Sequence, residues 1–152
     1  MLDPSSLRFF DARTLATFAA AARCIVPPEP DSPGADEETC LRLADRMLSE
    51  RPAADQRLLR TFLRALEFLP LFRHGRRFSR LPPDRAAAFL QTLERTTLVA
   101  RLRAGVFGVK TFALLGYYGS DLSHGELGYP GPRLDAPYYQ LRRVAGEAEG
   151  GS

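Results

Sequence analysis

The side chains that could do chemistry are few, and their spacing serves catalysis poorly. Ser120, Asp121 and His124 supply the three groups of a hydrolytic triad. A triad needs its nucleophile, base and orienting carboxylate held by separate rigid elements. These three fall within one short loop, and the chain has no GxSxG elbow. Asp121 and Glu126 could pair for acid–base work, but on such a loop they read as turn residues making local hydrogen bonds. Lys110, alone in an apolar stretch, has the character of a desolvated base or Schiff-base amine. The commoner role for such a lysine is to reach the surface or to pair with one carboxylate, and that is the expectation here.

Metal and nucleotide chemistry fare no better. The chain holds two cysteines and two histidines, with no CxxC and no HExxH spacing. Cys24 and Cys40 are expected to be reduced, buried and small; a single disulfide between them is the alternative. Gly105-Val106-Phe107-Gly108 is too short for a dinucleotide fingerprint and lies inside helical periodicity. No catalytic, cofactor-binding or metal-binding residue is therefore assigned in this chain. Arg73, Arg76, Arg77 and Arg80 form a basic cluster with Phe72 and Phe78 beside it for base stacking. The net charge of only +3 is weak support for a nucleic-acid partner. A solvated loop, or contact with an acidic partner surface, fits that cluster better.

The elements that must position these groups are helices. At 152 residues, 45% of them hydrophobic, the chain has the length of one domain and enough apolar material for a core. Leu15, Phe18, Ala19, Ala22 and Ile25 recur at helical spacing from about 13 to 26, with Asp11 as N-cap and Pro27-Pro28 as the stop. A second helix is predicted over about 36–51, its apolar face made by Cys40, Leu43, Ala44, Met47 and Leu48. A third begins near Ala53 and carries Leu58, Leu59, Phe62, Leu63, Leu66 and Leu69, until Pro70 leaves Leu71 and Phe72 in a short extra turn. Pro82-Pro83-Asp84 opens a fourth that runs to about Arg95.

The fifth helix, about 97–118, is amphipathic at first and then apolar nearly all round from Ala104 to Tyr118. Its apolar run falls short of the roughly twenty residues a bilayer span needs, so no membrane insertion is expected. A helix of this kind is either central to its own core or covered by something else. Gly105 and Gly108 cost it about 1 kcal/mol each against alanine, and close approach of another backbone is the expected compensation.

Beyond Tyr118 the helical pattern stops. Seven glycines and prolines fall between Gly119 and Pro137, yet Leu122, Leu127, Tyr129, Leu134, Tyr138 and Tyr139 are interspersed with them. Such composition predicts an ordered arm, about 119–144, lying on a surface of this chain or of a partner. A frayed tail, 145–152, follows. All five tyrosines fall after residue 116. Tyrosines supply large contact area at low entropic cost and so favour interfaces; completing the domain's own core is the alternative. The expected class is all-α, about five helices in a single compact domain, 1–144, with a long Gly/Pro/Tyr-rich C-terminal arm.

Two short motifs carry a family resemblance. Ala20-Ala21-Ala22-Arg23-Cys24-Ile25-Val26-Pro27-Pro28, followed by Ser32-Pro33-Gly34-Ala35, forms an opening helix that ends in a proline turn. Gly116-Tyr117-Tyr118-Gly119-Ser120 and then Leu127-Gly128-Tyr129-Pro130-Gly131-Pro132 form the close. Together, over roughly residues 11–133, the chain resembles the gluconate 2-dehydrogenase subunit 3 family. The resemblance implies a small helical accessory subunit with no flavin and no catalytic residue of its own. It implies a heterodimer with a large FAD-dependent oxidoreductase of the glucose–methanol–choline type, for which the small subunit acts as a chaperone-like stabiliser. Many members carry a twin-arginine signal and accompany the partner to the periplasm. Here Met1 stands almost at the first helix, so the expectation is cytoplasmic, or periplasmic if such a signal has been removed.

Residues and resemblance converge on an interface over about 107–139. Phe107, Lys110, Phe112, Tyr117, Tyr118, Leu127, Tyr129, Pro130, Pro132, Tyr138 and Tyr139 are expected there, under an obligate contact of about 2,000 Å² or more. A free-standing helical module that binds a protein or a small apolar ligand is the alternative function, and a hydrolase using His124 a remote third.

Overall fold

Proline and capping signals set the helix limits in the computed structural model, which describes residues 2–96 and 99–120. The helices are α1 (Ala12–Ile25), α2 (Glu38–Ser49), α3 (Ala53–Phe68), the single turn α4 (Leu71–His74), α5 (Pro83–Arg95) and α6 (Ala100–Tyr118). The described residues are mostly helical and contain no strand. Asp11 caps α1 as expected: its carboxylate accepts the N–H groups of Arg13 and Thr14, and the Thr14 hydroxyl returns a bond to the Asp11 backbone. Pro70 ends α3 and opens α4, and Gly75, at φ 65°, lets the chain turn away behind it. The fifth long helix starts at Ala100, three residues later than predicted, and the second at Glu38, two later. The arm and tail expected at 119–144 and 145–152 lie outside the described residues from Asp121 onward.

The core is one cluster running from Phe9 to Tyr117, with Phe18, Leu63, Leu66 and Phe78 fully enclosed. α6 packs against α1, α2, α3 and α5, so it is central, as one of the two expectations had it. Pairs of contacts place α2 beside its C-terminal half, where Gly116 meets Cys40, and α3 beside its N-terminal half, where Gly105 meets Phe62.

Two buried carboxylates hold the irregular segments onto this frame. Asp45, on α2, accepts the backbone N–H groups of Arg8, Phe9 and Phe10 at 2.9–3.0 Å. Those bonds satisfy three donors that have no helical partner and fix Phe9 and Phe10 inside the core. The Arg60 guanidinium closes the same corner, donating to the Phe9 carbonyl at 3.0 Å and lying 4.7 Å from the Phe9 ring centre. Glu67, on α3, accepts from the Thr17 hydroxyl, the Ser79 N–H and the Ser79 hydroxyl. That pins the 75–82 loop to α1 and α3 and sets Phe78 beneath it. Each carboxylate is satisfied by polar donors, which is what makes its burial tolerable.

Both thiols are free. Cys40 is buried, its thiol donating to the Ser120 hydroxyl at 3.6 Å. Cys24 is only half-buried, against the Pro83 carbonyl at 3.8 Å. Burial pushes both pKa values up, so neither is an activated nucleophile.

Candidate partner interface

The two halves of α6 are packed very differently. Along the C-terminal half Gly116 lies so close to α2 that a Cβ there would stand 2.7 Å from the Cys40 carbonyl oxygen. This is the backbone approach that glycine permits. Tyr117 completes the closure: it is 6% exposed, and its hydroxyl shares a 2.8 Å hydrogen bond with the Ser32 hydroxyl. Tyr117, expected on the partner side, thus belongs to the domain's own core.

Along the N-terminal half the packing stays open. Gly105 makes room for the ring of Phe62, which would overlap any Cβ, and not for another backbone. At Gly108 a Cβ would meet only Leu59, at 3.5 Å. The expectation of a close backbone contact at Gly105 and Gly108 is therefore corrected: the close contact is at Gly116. A cleft of about 800 Å³ runs between α3 and α6 over this half. Leu59, Phe62, Leu102 and Phe112 line it with the two glycines, and Arg57 and Arg101 stand on its walls. A second hollow, about 570 Å³, lies between the end of α2 and the outer face of α6, reaching from Met47 to Leu115. The two share Arg51, Gly108 and Phe112, so half-buried Phe112 is the ridge between them.

Large apolar side chains rim both hollows. Phe107 is 72% exposed and Leu58 65%, with Leu115 and Tyr118 also outward. Leu58, carried by the third helix, thus faces outward while its neighbour Leu59 is buried. Adjacent helix positions are about 100° apart, so Leu58 and Leu59 cannot share one narrow stripe. Lys110 is bound by both oxygens of Glu94, each at 2.7 Å, and so joins α6 to α5. The pairing ties two helices together on a side chain that stays partly exposed.

The other sequence candidates separate in the same way. Ser120 is buried and donates to the Tyr117 carbonyl at 2.6 Å, so its hydroxyl is not presented to a substrate. His124, Asp121, Glu126, Leu127, Tyr129, Pro130, Pro132, Tyr138 and Tyr139 lie outside the described residues. Among the described residues no group of three or more His, Cys, Asp or Glu could hold a metal, and no helix is long and apolar enough to cross a membrane. Asp45 and Glu67, which the sequence did not single out, are the two deeply buried carboxylates among the described residues, and backbone and hydroxyl donors occupy both. The arrangement offers apolar surface with a cationic edge, a means of holding another chain.

The family model described as gluconate 2-dehydrogenase subunit 3 matches residues 12–131. No curated protein and no solved structure matches.

Proposed function

This chain belongs to the gluconate 2-dehydrogenase subunit 3 family, and we propose that it is a non-catalytic small subunit that binds and stabilises a large FAD-dependent oxidoreductase subunit. In this proposal the flavin and the oxidation chemistry lie in the partner, of the glucose–methanol–choline type, and this chain contributes surface. The observation that carries it is the open seam between α3 and α6, with large apolar side chains exposed along it. A hollow of about 800 Å³ flanked by exposed Leu58 and Phe107 leaves apolar area wet, at a cost of about 25 cal/mol for each Å². An exposed apolar patch of this kind marks an interaction site more often than an idle surface. Seating a partner's side chains there would remove that cost and fill the space beside Gly108.

The test is a gentle affinity purification of the full chain from cells that express it with its natural partners, with visible absorption read on the eluate. A stoichiometric partner with a flavin spectrum is expected. A colourless monomer that is stable alone would contradict the proposal and favour a free-standing binding module.

A further inference from the structure

A second exposed apolar feature stands at the other end of α3, and its chemistry is unlike that of the cleft. Between Phe68 and Pro83 the chain holds four arginines and no carboxylate, and Glu67, just before, is buried. Pro70 and Gly75 force α4 into a single turn there. Phe72 is 95% exposed at its tip, with Leu71 beside it; a side chain so exposed projects from the surface and lines no hollow. The base beneath is rigid, because Phe78 is fully buried and Ser79 is bonded twice to Glu67.

Cations surround this tip without carboxylate partners among the described residues. The guanidinium groups of Arg13 and Arg77 lie 5.7 and 5.5 Å from the Phe68 ring centre, a cation–π arrangement. Arg13, Arg73, Arg76 and Arg77 form no ion pair among the described residues, whereas Arg42, Arg51 and Arg64 do.

We propose that this corner is a peripheral docking surface for an anionic membrane. Leu71 and Phe72 enter the headgroup boundary, and the arginines bind lipid phosphates. A protein–protein hot spot works by excluding water around its anchor. Doing so around Phe72 would strip several unpaired guanidinium groups of solvent, which is costly. At a bilayer surface the ring alone is withdrawn from water, while the arginines reach back to hydrated phosphates. One apolar anchor joined to a basic patch gives reversible adsorption, not insertion. The inference does not depend on how the α3–α6 cleft is occupied.

The experiment is sedimentation of the full chain with vesicles of phosphatidylcholine alone and with vesicles that also contain phosphatidylglycerol. Binding is expected only to the anionic vesicles, and it weakens as salt rises. Phe72→Ala should lower it about tenfold. Arg73→Gln with Arg76→Gln should lower it about 25-fold, near fivefold for each charge. Leu58→Asp should leave it unchanged. Circular dichroism checks that each variant keeps its helices. Equal binding to both vesicle types, no binding to either, or full binding by the arginine variant would overturn the proposal. Absent vesicle binding combined with loss of a flavin-bearing partner in Phe72→Ala would overturn it too, assigning the corner to a protein contact.

Discussion

The two halves of α6 are one helix with opposite relations to their neighbours. The C-terminal half is sealed: Gly116 touches the backbone of α2, Tyr117 bonds to Ser32, and α2 itself anchors Phe9 and Phe10 through Asp45. The N-terminal half faces α3 across a cleft that exposed Leu58 helps to line, with exposed Phe107 on the neighbouring hollow. Both halves are rich in apolar residues, so hydrophobicity alone does not separate them. What separates them is whether the small residues are matched by a neighbour's backbone. Gly116, opposite a carbonyl, closes its seam; Gly108, opposite only the tip of Leu59, leaves space for something else.

The sealed half should break first and hardest. Asp45→Ala strands three backbone N–H groups and releases two core phenyl rings, so it should cost about 3 kcal/mol or more. Urea or guanidinium unfolding would measure this; a loss below about 1 kcal/mol would show that water or a shifted backbone replaces the carboxylate. The glycines sharpen the contrast. Gly116→Ala must push α2 away and should destabilise by about 2 kcal/mol. Gly108→Ala meets only Leu59 at ordinary contact distance and gains helix propensity, so it should stabilise the isolated chain by about 0.5–1 kcal/mol. Equal effects of the two substitutions on the melting temperature would erase the distinction between the halves.

A smaller effect concerns the cap of α1, which lies outside both seams and serves as a control. The Thr14 N–H, donating to the Asp11 carboxylate, holds its pKa below the usual value of 3.8, with the Thr14 hydroxyl and Arg64 acting the same way against partial burial. A carboxylate whose folded pKa is depressed contributes stability above its unfolded pKa and loses it as pH falls through the folded value. The cap is therefore fully effective at neutral pH and fades only in acid below about pH 4. Asp11→Ala should cost about 1 kcal/mol at pH 7 and progressively less below pH 4. A deficit that stays constant down to pH 2 would show that the cap acts through shape and not charge.

Much of this architecture was legible in the sequence. Asp11, Pro27-Pro28, Pro70 and Pro82-Pro83 mark helix ends locally, and the structure places the ends within a few residues of them. Lys110 was expected to reach the surface or to pair with one carboxylate, and Glu94 supplies the pair. Asp45 and Glu67 were not legible, because their donors lie 35 or more and 12 or more residues away in sequence, beyond any helical period. Phe9 and Phe10 precede the first cap and show no periodicity, so their place in the core follows only from the Asp45 bonds. The cleft was half legible. An apolar face on α6 was expected to need a cover, but which end stays open depends on what stands opposite each glycine. Tyr117 and Tyr118 show the same limit: adjacent tyrosines of equal character, one sealed inside and one outward.

Leu58→Asp tests most directly the proposal that another subunit seats on the open half of α6. Leu58 is exposed in the chain itself, so the substitution should leave unfolding within about 0.5 kcal/mol of the parent. Parent and variant would be purified side by side from cells expressing the partner, and the flavin absorbance recovered per mole of this chain compared. Flavin is expected with the parent, and at least a tenfold lower yield with the variant, at unchanged helical content. Equal flavin recovery from both would contradict it and move the interface away from the α3–α6 cleft.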